Sequence, residues 1–280
     1  MTTTRRTGRN LPVAVATGLV LGLVVVATLV WWNWGFVLFA SLGLTLGVWE
    51  VCGALERCGM HPARWPLLIG TPLVMVGSYA AGQHSGEPKD AQWIILGGLA
   101  LMMIASLFVR IPGGTKGFVT DAAASAFVIG YLPLLGSAVA LMLAGNNGAA
   151  RILCFIVCPI ACDTGAYAFG SLFGRHKMAP SISPAKSWEG FAGGIVLAMI
   201  VGAITVHLVL HAPIWVGIVL GLVVGCTGVL GDLVESAIKR DAGLKDMSHL
   251  LPGHGGVMDR LDSLLVAAPA AWLVMYLLVV

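Results

Sequence analysis

Charged residues are scarce in this chain of 280 residues. Only 10% of its positions are Asp, Glu, Lys or Arg, whereas 58% are hydrophobic. A soluble domain of this length needs a more polar surface, so the composition excludes that class and indicates a polytopic membrane protein. The formal net charge is only +3. Nucleic-acid-binding domains concentrate basic residues, so we expect no nucleic-acid partner.

Two common nucleotide-binding patterns are also missing. The sequence contains neither a Walker A loop nor a Rossmann glycine fingerprint. Nucleotide binding therefore cannot be inferred from either pattern, and any such site must be built from other residues.

Long hydrophobic segments fill most of the chain. A membrane helix needs about 20 apolar residues, because each rises 1.5 Å across a core about 30 Å thick. The predicted fold is therefore all-α, with about nine transmembrane helices. We expect about four spans in an N-terminal part, 1–118, and about five in a C-terminal part, 119–280, which carries the polar motifs. The predicted spans are 11–32, 34–54, 65–82, 91–110, 118–145, 149–173, 191–210, 213–238 and 260–280.

The distribution of Lys and Arg predicts the orientation. With the N-terminus in the cytoplasm, 14 of the 16 basic residues lie inside, and only Lys89 and Arg151 lie outside. This asymmetry follows the positive-inside rule. The loops 174–190 and 239–259 should then face the cytoplasm. We expect a multi-pass protein of the cell membrane, of the bacterial inner-membrane type.

Several carboxylates fall within or at the ends of the predicted spans. Asp163 lies in span six, Asp232 and Glu235 lie three residues apart in span eight, and Asp259 and Asp262 repeat that spacing at span nine. Acids in a bilayer usually face a bundle interior or a wet cavity. Residues three apart share a helix face, so two helices present paired oxygens at one level. Such oxygens suit Mg²⁺ completed by substrate phosphates.

A simpler interpretation of the acids is that they neutralise basic residues at the helix ends. The candidate partners are Lys239, Arg240 and Arg260. This would be the preferred interpretation of a single acidic pair. Two pairs on either side of a His-Gly-Gly sequence, 254–256, favour a metal site instead.

The segment between spans eight and nine concentrates the charge of the protein. Eight of the 29 charged residues fall within the 24 positions 239–262. Cations stand beside the carboxylates there, and His254 could donate to a phosphate. Glycines around it free the backbone for a close approach to a ligand. The second loop, SISPAKSWEG at 181–190, adds hydroxyls and Lys186 before a helix, which is a plausible anion site.

The run SAIKRDAGLKDMSHLLPGHGGVMDRLD, 236–262, closely resembles the signature of the phosphatidate cytidylyltransferases, or CDP-diacylglycerol synthases. CDTGAYAFGSLFGRHK and PSISPAKSWEG resemble two further blocks of that family, so the resemblance covers roughly 160–262. The matching signature positions include Ser236, Lys239, Arg240, Lys245, Asp246, His254, Gly255, Gly256, Asp259, Arg260 and Asp262.

The resemblance implies a nucleotidyltransferase of phospholipid biosynthesis, which converts CTP and phosphatidate into CDP-diacylglycerol and pyrophosphate. It also implies a homodimeric helical enzyme with a polar cavity open to the cytoplasm and to the lipid. Mg²⁺ is implied as the cofactor, with K⁺ associated with the same site. The metal-binding aspartates of the family fall on Asp232 and Asp259.

The chemistry of the substrates narrows the expected roles. A phosphomonoester is largely dianionic at neutral pH, so no strong base is needed, and cations must bring the anions together. We expect no covalent intermediate. Ser187 and Ser236 should therefore only donate hydrogen bonds. The expected catalytic residues are Asp232, Lys239, Arg240, Asp246, His254, Asp259, Arg260 and Asp262. The expected substrate-binding residues are Asp163, Lys186, Ser187, Ser236, Lys245, Gly255 and Gly256.

Two rival functions stay open. One is a related CTP-using lipid enzyme, such as a CDP-archaeol synthase or a CTP-dependent polyprenol kinase. The other is an ion-coupled transporter that uses Asp163, Asp232 and Glu235 as a relay. Transporters often contain inverted repeats, and the sequence shows no convincing internal repeat.

Glycines recur along span eight, at Gly217, Gly221, Gly225, Gly228 and Gly231. In lipid, small residues on one face let helix backbones approach closely. We therefore expect this glycine stripe to seat span eight against neighbouring helices and to hold Asp232 at its depth.

Overall fold

The protein is a helical bundle whose computed structural model describes residues 11–85, 88–251 and 255–279. The helices are α1 (Leu11–Trp31), α2 (Asn33–Arg57), α3 (Arg64–Ser85), α4 (Pro88–Arg110), α5 (Phe118–Ile129), α6 (Leu135–Ala144), α7 (Gly148–Phe173), α8 (Trp188–Val209), α9 (Ile214–Asp241) and α10 (Met258–Leu278). A π-helical turn, Gly130–Leu134, joins α5 to α6. It contains Pro133, which has no N–H to donate to the helix ladder. The predicted all-α fold is confirmed.

Eight helical segments in the described ranges are long and apolar enough to cross a membrane. The α5–α6 unit counts as one of them, Phe118–Ala144. Helix α1 spans 21 residues, and its described apolar part, Ala16–Trp31, is shorter. With α1 included, the predicted number of about nine spans is confirmed. The predicted ends differ by a few residues, since α9 continues to Asp241 and α10 begins at Met258.

A small β-hairpin interrupts the loop between α7 and α8, where the sequence analysis predicts no strand. Strands β1 (Lys177–Ala179) and β2 (Ser183–Ser187) pair antiparallel. The hairpin ends where α8 begins. There the Ser187 hydroxyl accepts a hydrogen bond from the Gly190 N–H at 3.2 Å. This cap satisfies one of the free amides of the first helical turn, and the hairpin thereby positions Lys186 beside the start of α8.

The predicted glycine stripe of α9 packs against two helices. A β-carbon at Gly217 would collide with the backbone oxygen of Gly202, and one at Gly221 with the backbone oxygen of Ala198, both in α8. A β-carbon at Gly231 would collide with the backbone oxygen of Asp262 in α10. These contacts are between backbones, so no side-chain rotation could relieve them. The stripe is confirmed as a packing surface that leads to Asp232.

Candidate active site

Three carboxylates meet where α9 and α10 cross. Asp232 and Glu235 lie one turn apart on α9, and Asp262 lies on α10; one oxygen from each side chain lies within 4.8 Å of the others. The helical period aligns the first two residues. The packing of Gly231 against the Asp262 backbone brings the third close. We call these residues the acidic cluster. Two of its members, Asp232 and Asp262, are expected catalytic residues.

Two lysines lie against these acids. The Lys186 ammonium lies 2.7 Å from Asp232 Oδ2. The Lys239 ammonium contacts Glu235 Oε2 and lies 2.7 Å from Asp259 Oδ1. Glu235 is fully buried, and a buried charge needs a partner because leaving water is costly. The site thus interleaves acids with cations, as the sequence predicts, although Lys186 arrives from the distant hairpin.

Asp259 is held differently from the acidic cluster. Its Oδ1 accepts from Lys239, and its Oδ2 accepts from the backbone N–H groups of Met247 and Gly256 at 3.0 and 2.7 Å. Asp259 therefore joins the loop 242–257 to α9. The assignment of Asp259 as a metal ligand stays a prediction, and among the described residues the grouped acid oxygens are those of the acidic cluster.

Leu251 and Gly255, both in the loop 242–257, pair near the cavity. Leu251 and Gly255 exchange two backbone hydrogen bonds, of 2.9 and 3.2 Å. Gly255 has φ of 88°, a left-handed conformation that favours glycine. A β-carbon there would also lie 2.9 Å from Asp259 Oδ2. His254, an expected catalytic residue, lies outside the described residues.

A cavity of about 450 Å³ opens beside the acidic cluster. Its polar lining includes seven of the predicted site residues, and Ile156, Pro159, Ile160 and Leu264 form an apolar wall. A pocket with one charged side and one apolar side can receive a molecule with a charged head and a hydrocarbon part. The predicted residues that line it are Asp163, Asp232, Lys239, Asp246, Asp259, Arg260 and Asp262.

Other predicted residues lie outside this lining and contact the protein itself. Arg240 Nε donates to the Ile182 carbonyl of the hairpin at 3.3 Å, and its NH1 donates to the Leu244 carbonyl at 3.2 Å. The Ser236 hydroxyl donates to Asp232 Oδ1 at 3.3 Å. Ser187 caps α8, and Lys245 is exposed. Arg240 therefore braces the two loops, and Ser236 orients an acid of the cluster.

Two buried glutamates complete the arrangement. The sequence analysis predicts Glu235 as the partner of Asp232 in a carboxylate pair but not as an expected site residue, and it does not predict Glu50. Glu235 shares a helix face with Asp232 by spacing alone, and the structure adds it to the acidic cluster. Glu50 lies in α2 and accepts hydrogen bonds from Ser248, Val257 and Met258. A solitary acid in the apolar span 34–54 is the signal that could have marked Glu50. Its partner could not be read from the sequence.

The acidic cluster has the donor chemistry of a magnesium site. Mg²⁺ prefers oxygen ligands and is usually held by one or two carboxylates together with substrate phosphates. Asp232, Glu235 and Asp262 offer only oxygens. The neighbouring cavity leaves room for phosphates beside them, so these residues fit the ion.

Comparisons with known proteins agree with the motifs. A sequence model of the Cytidylyltransferase family matches residues 12–278. The phosphatidate cytidylyltransferase of Mycobacterium bovis is 39% identical over 290 positions, which cover 99% of this chain and 92% of that protein. The Mycobacterium leprae protein of the same name is 38% identical and covers 98% of this chain and 90% of its own length. The Haemophilus influenzae protein of that name is 44% identical over 128 positions, 44% of each chain.

Proposed function

Because the chain belongs to the Cytidylyltransferase family, and is therefore a nucleotidyltransferase, we propose that it transfers the cytidylyl group of CTP to phosphatidate. The products would be CDP-diacylglycerol and pyrophosphate, as in phospholipid biosynthesis. The names of the curated relatives support this pair of substrates. Family membership also makes the ion-coupled transporter interpretation of Asp163, Asp232 and Glu235 wrong.

The observation that carries the proposal is the cavity at the acidic cluster. It combines carboxylates, cations and an apolar wall in a protein with a bundle of membrane helices. CTP is soluble in water, whereas phosphatidate is confined to the bilayer. A reaction between them needs a polar site that both can reach. The charged side and the apolar wall of this cavity support the proposal of such a site here.

The bond changes follow from the two phosphates. An oxygen of the phosphatidate monoester attacks the α-phosphorus of CTP, and the bond from that phosphorus to the bridging oxygen of the β-phosphate breaks. The monoester oxygen is already anionic, so no protein base must remove a proton. The leaving pyrophosphate takes the bonding electrons. The barrier arises from bringing anions together and from charge on the leaving group, which positioned cations can lower.

The residues of this chain would then act by position and charge. Lys239 and Arg260 line the cavity, and we assign them to phosphate oxygens. Lys186 lies against Asp232 and could turn from the acid to a phosphate. We assign Asp232, Glu235 and Asp262 to hold Mg²⁺, with Asp259 as a further candidate. When bound, Mg²⁺ would neutralise phosphate charge as a Lewis acid. His254 stays a predicted phosphate contact, Asp246 stays a predicted catalytic residue, and K⁺ stays a predicted second ion.

The orientation and assembly form part of the same proposal. Both loops that contribute to the site carry the excess of basic residues, which supports a cytoplasmic active-site face in a cell membrane. CTP is made and kept in the cytoplasm, so that face suits the substrate. The homodimer implied by the family resemblance stays a prediction, which the mass of the purified protein in detergent would test.

The test is lipid labelling by the purified full-length protein in detergent. We expect α-³²P-labelled CTP and phosphatidate to give a labelled lipid in the presence of Mg²⁺, with release of pyrophosphate. Diacylglycerol, polyprenol and an archaeal-type ether lipid phosphate serve as competing acceptors. Matched label from γ-³²P-labelled CTP should stay out of the lipid, because the γ-phosphate leaves with pyrophosphate. Label from the γ-position in a lipid would identify a kinase and refute the proposal, as would preference for the ether lipid.

A further inference from the structure

Glu50 connects the N-terminal helices to the loop beside the active site. Its side chain comes from the C-terminal half of α2 and is only 3% exposed. Its Oε1 accepts from the Ser248 hydroxyl at 2.5 Å and from the Val257 N–H at 2.9 Å, and its Oε2 accepts from the Met258 N–H at 2.7 Å. One carboxylate thus binds the middle and the C-terminal end of a loop that lies about 200 residues away in sequence.

These contacts cap the helix that carries the reactive side chains. The first N–H groups of an α-helix have no partner within the helix, and an anion placed there is stabilised by the helix dipole. The residue at the cap position of α10, Val257, makes no side-chain cap. Glu50 supplies the missing acceptor from another helix. The turn that it caps contains Asp259 and Arg260, and Asp262 follows at the start of the next turn.

Glu50 and Asp259 accept hydrogen bonds from the same two segments of the chain. In the first segment, the Met247 N–H donates to Asp259 and the Ser248 hydroxyl donates to Glu50. In the second segment, the Gly256 N–H donates to Asp259, and the N–H groups of Val257 and Met258 donate to Glu50. Adjacent donors therefore alternate between a cavity-lining acid and a buried acid of α2. If one acid loses these hydrogen bonds, only those of the other acid still hold the two segments together.

Gly256 lies directly against the Glu50 carboxylate. A β-carbon at this position would be 2.8 Å from each of the two carboxylate oxygens. Glycine is therefore needed here for the approach of a protein acid. The sequence analysis assigns Gly256 to substrate binding, whereas its contact in the structure is with Glu50.

We propose that Glu50 is a positioning residue for the reaction, which holds the loop and the first turn of α10 so that Asp259 and Arg260 face the cavity. Its bonds to charged oxygen are stronger than bonds between neutral groups. Replacing a residue that orients the ligands of a metal site typically lowers activity about 10- to 100-fold. We expect an effect of the same size for Glu50, which orients the helix turn that carries Asp259 and Arg260. The inference rests on the proposed function for its activity measurement only.

The main variant is Glu50→Gln in the full-length protein. Glutamine has nearly the same volume, but its NH₂ group would face a backbone N–H, so one donor would lose its acceptor. The matched control is Glu56→Gln on the same helix. Glu56 is paired with Arg64 at 2.6 Å in a partly exposed position, and it does not line the cavity.

Two measurements separate positioning from simple stabilisation. We expect kcat for CTP and phosphatidate to fall about 10- to 100-fold in Glu50→Gln, with a smaller change in KM for CTP. Hydrogen exchange should accelerate in peptides that cover 255–262 and stay unchanged in peptides from α7. Glu56→Gln should leave both kcat and this exchange at wild-type values. Ser248→Ala removes one donor and should show the same pattern more weakly, even if Glu50→Gln does not fold.

The proposal is overturned if kcat per folded molecule stays at the wild-type value in Glu50→Gln, or in Ser248→Ala when the first variant does not fold. A lower melting temperature with unchanged kcat would mean a purely structural role. If the wild-type protein makes no CDP-diacylglycerol, the proposed function fails. Exchange then decides the role of Glu50 alone: acceleration confined to 255–262 supports it, and unchanged exchange overturns it.

Discussion

The packing of α9 predicts that the substitution of alanine for glycine changes the stability of the protein differently at two positions of this helix. At Gly221, an added β-carbon would collide with the Ala198 carbonyl and would lie 2.6 Å from Met199 Cα. At Gly228, the nearest atom, Ser263 Cβ, would be 3.6 Å away, which is ordinary contact. The same substitution, Gly to Ala, therefore collides with backbone atoms at Gly221 and makes only ordinary contacts at Gly228.

The magnitudes follow from two opposing effects. Replacing glycine by alanine inside a helix stabilises it by about 0.5–1 kcal/mol, because alanine loses less backbone entropy. Forcing an extra methyl group into a filled contact costs about 1–3 kcal/mol. Gly221→Ala should therefore be destabilising by about 1–2 kcal/mol, since backbone atoms cannot rotate away. Gly228→Ala should be neutral or slightly stabilising.

Thermal unfolding in detergent measures the difference. With about 2–4 °C per kcal/mol for a chain of this size, Gly221→Ala should melt several degrees below the wild type, and Gly228→Ala at or slightly above it. Gly221→Leu should lower melting further and reduce activity, because α9 must move and carries Asp232. Leu222→Ala, at an exposed position of the same helix, should do much less. A Gly221→Ala protein that melts at or above the wild type would refute the contact between α8 and α9.

Three further predictions concern the site and its orientation. Asp232→Asn and Asp259→Asn should each abolish turnover at ordinary Mg²⁺ in a folded protein. Excess Mg²⁺ should partly restore turnover only in Asp232→Asn, because Asp232 lies in the acidic cluster. If both variants respond equally to Mg²⁺, the two aspartates do not have different roles. Lys239→Met should lower the free energy of unfolding by about 3–5 kcal/mol, because it leaves buried carboxylates without their cation. Lys239→Arg keeps the charge and should melt close to the wild type. Equal melting temperatures of the two variants would exclude a role for the charge in stability. In a protein without its native cysteines, His249→Cys should react with an impermeant thiol reagent only from the cytoplasm and Asn146→Cys only from outside, and labelling of both from one side would break the predicted topology.

Regularities within single helices explain why parts of the site could be predicted. Asp232 and Glu235, three residues apart, must share a face of any helix that contains them, because the helical period is 3.6 residues. The same local rule marks the glycine stripe that leads to Asp232. Membrane spans are also readable one segment at a time, since each must satisfy its own backbone hydrogen bonds in lipid.

Contacts between distant segments could not be predicted in the same way. Lys186 reaches Asp232 only because a β-hairpin forms in the loop before α8. Ser187 and Gly256 match a family signature, yet their contacts in the structure are with Gly190 and Glu50. A motif records which residue type is needed and does not state which atom it touches.

The sequence alone determined the apolar spans, the concentration of charge beside span nine and the pairing of acids along one helix, because these depend on composition and on separations of a few residues. The tertiary structure alone decided that Asp262 joins Asp232 and Glu235, while Asp259 turns to Lys239 and the loop. It also decided that an acid of the second helix caps the tenth. Such choices depend on which helices are neighbours and at what height they cross, and these are set by the packing of the whole bundle.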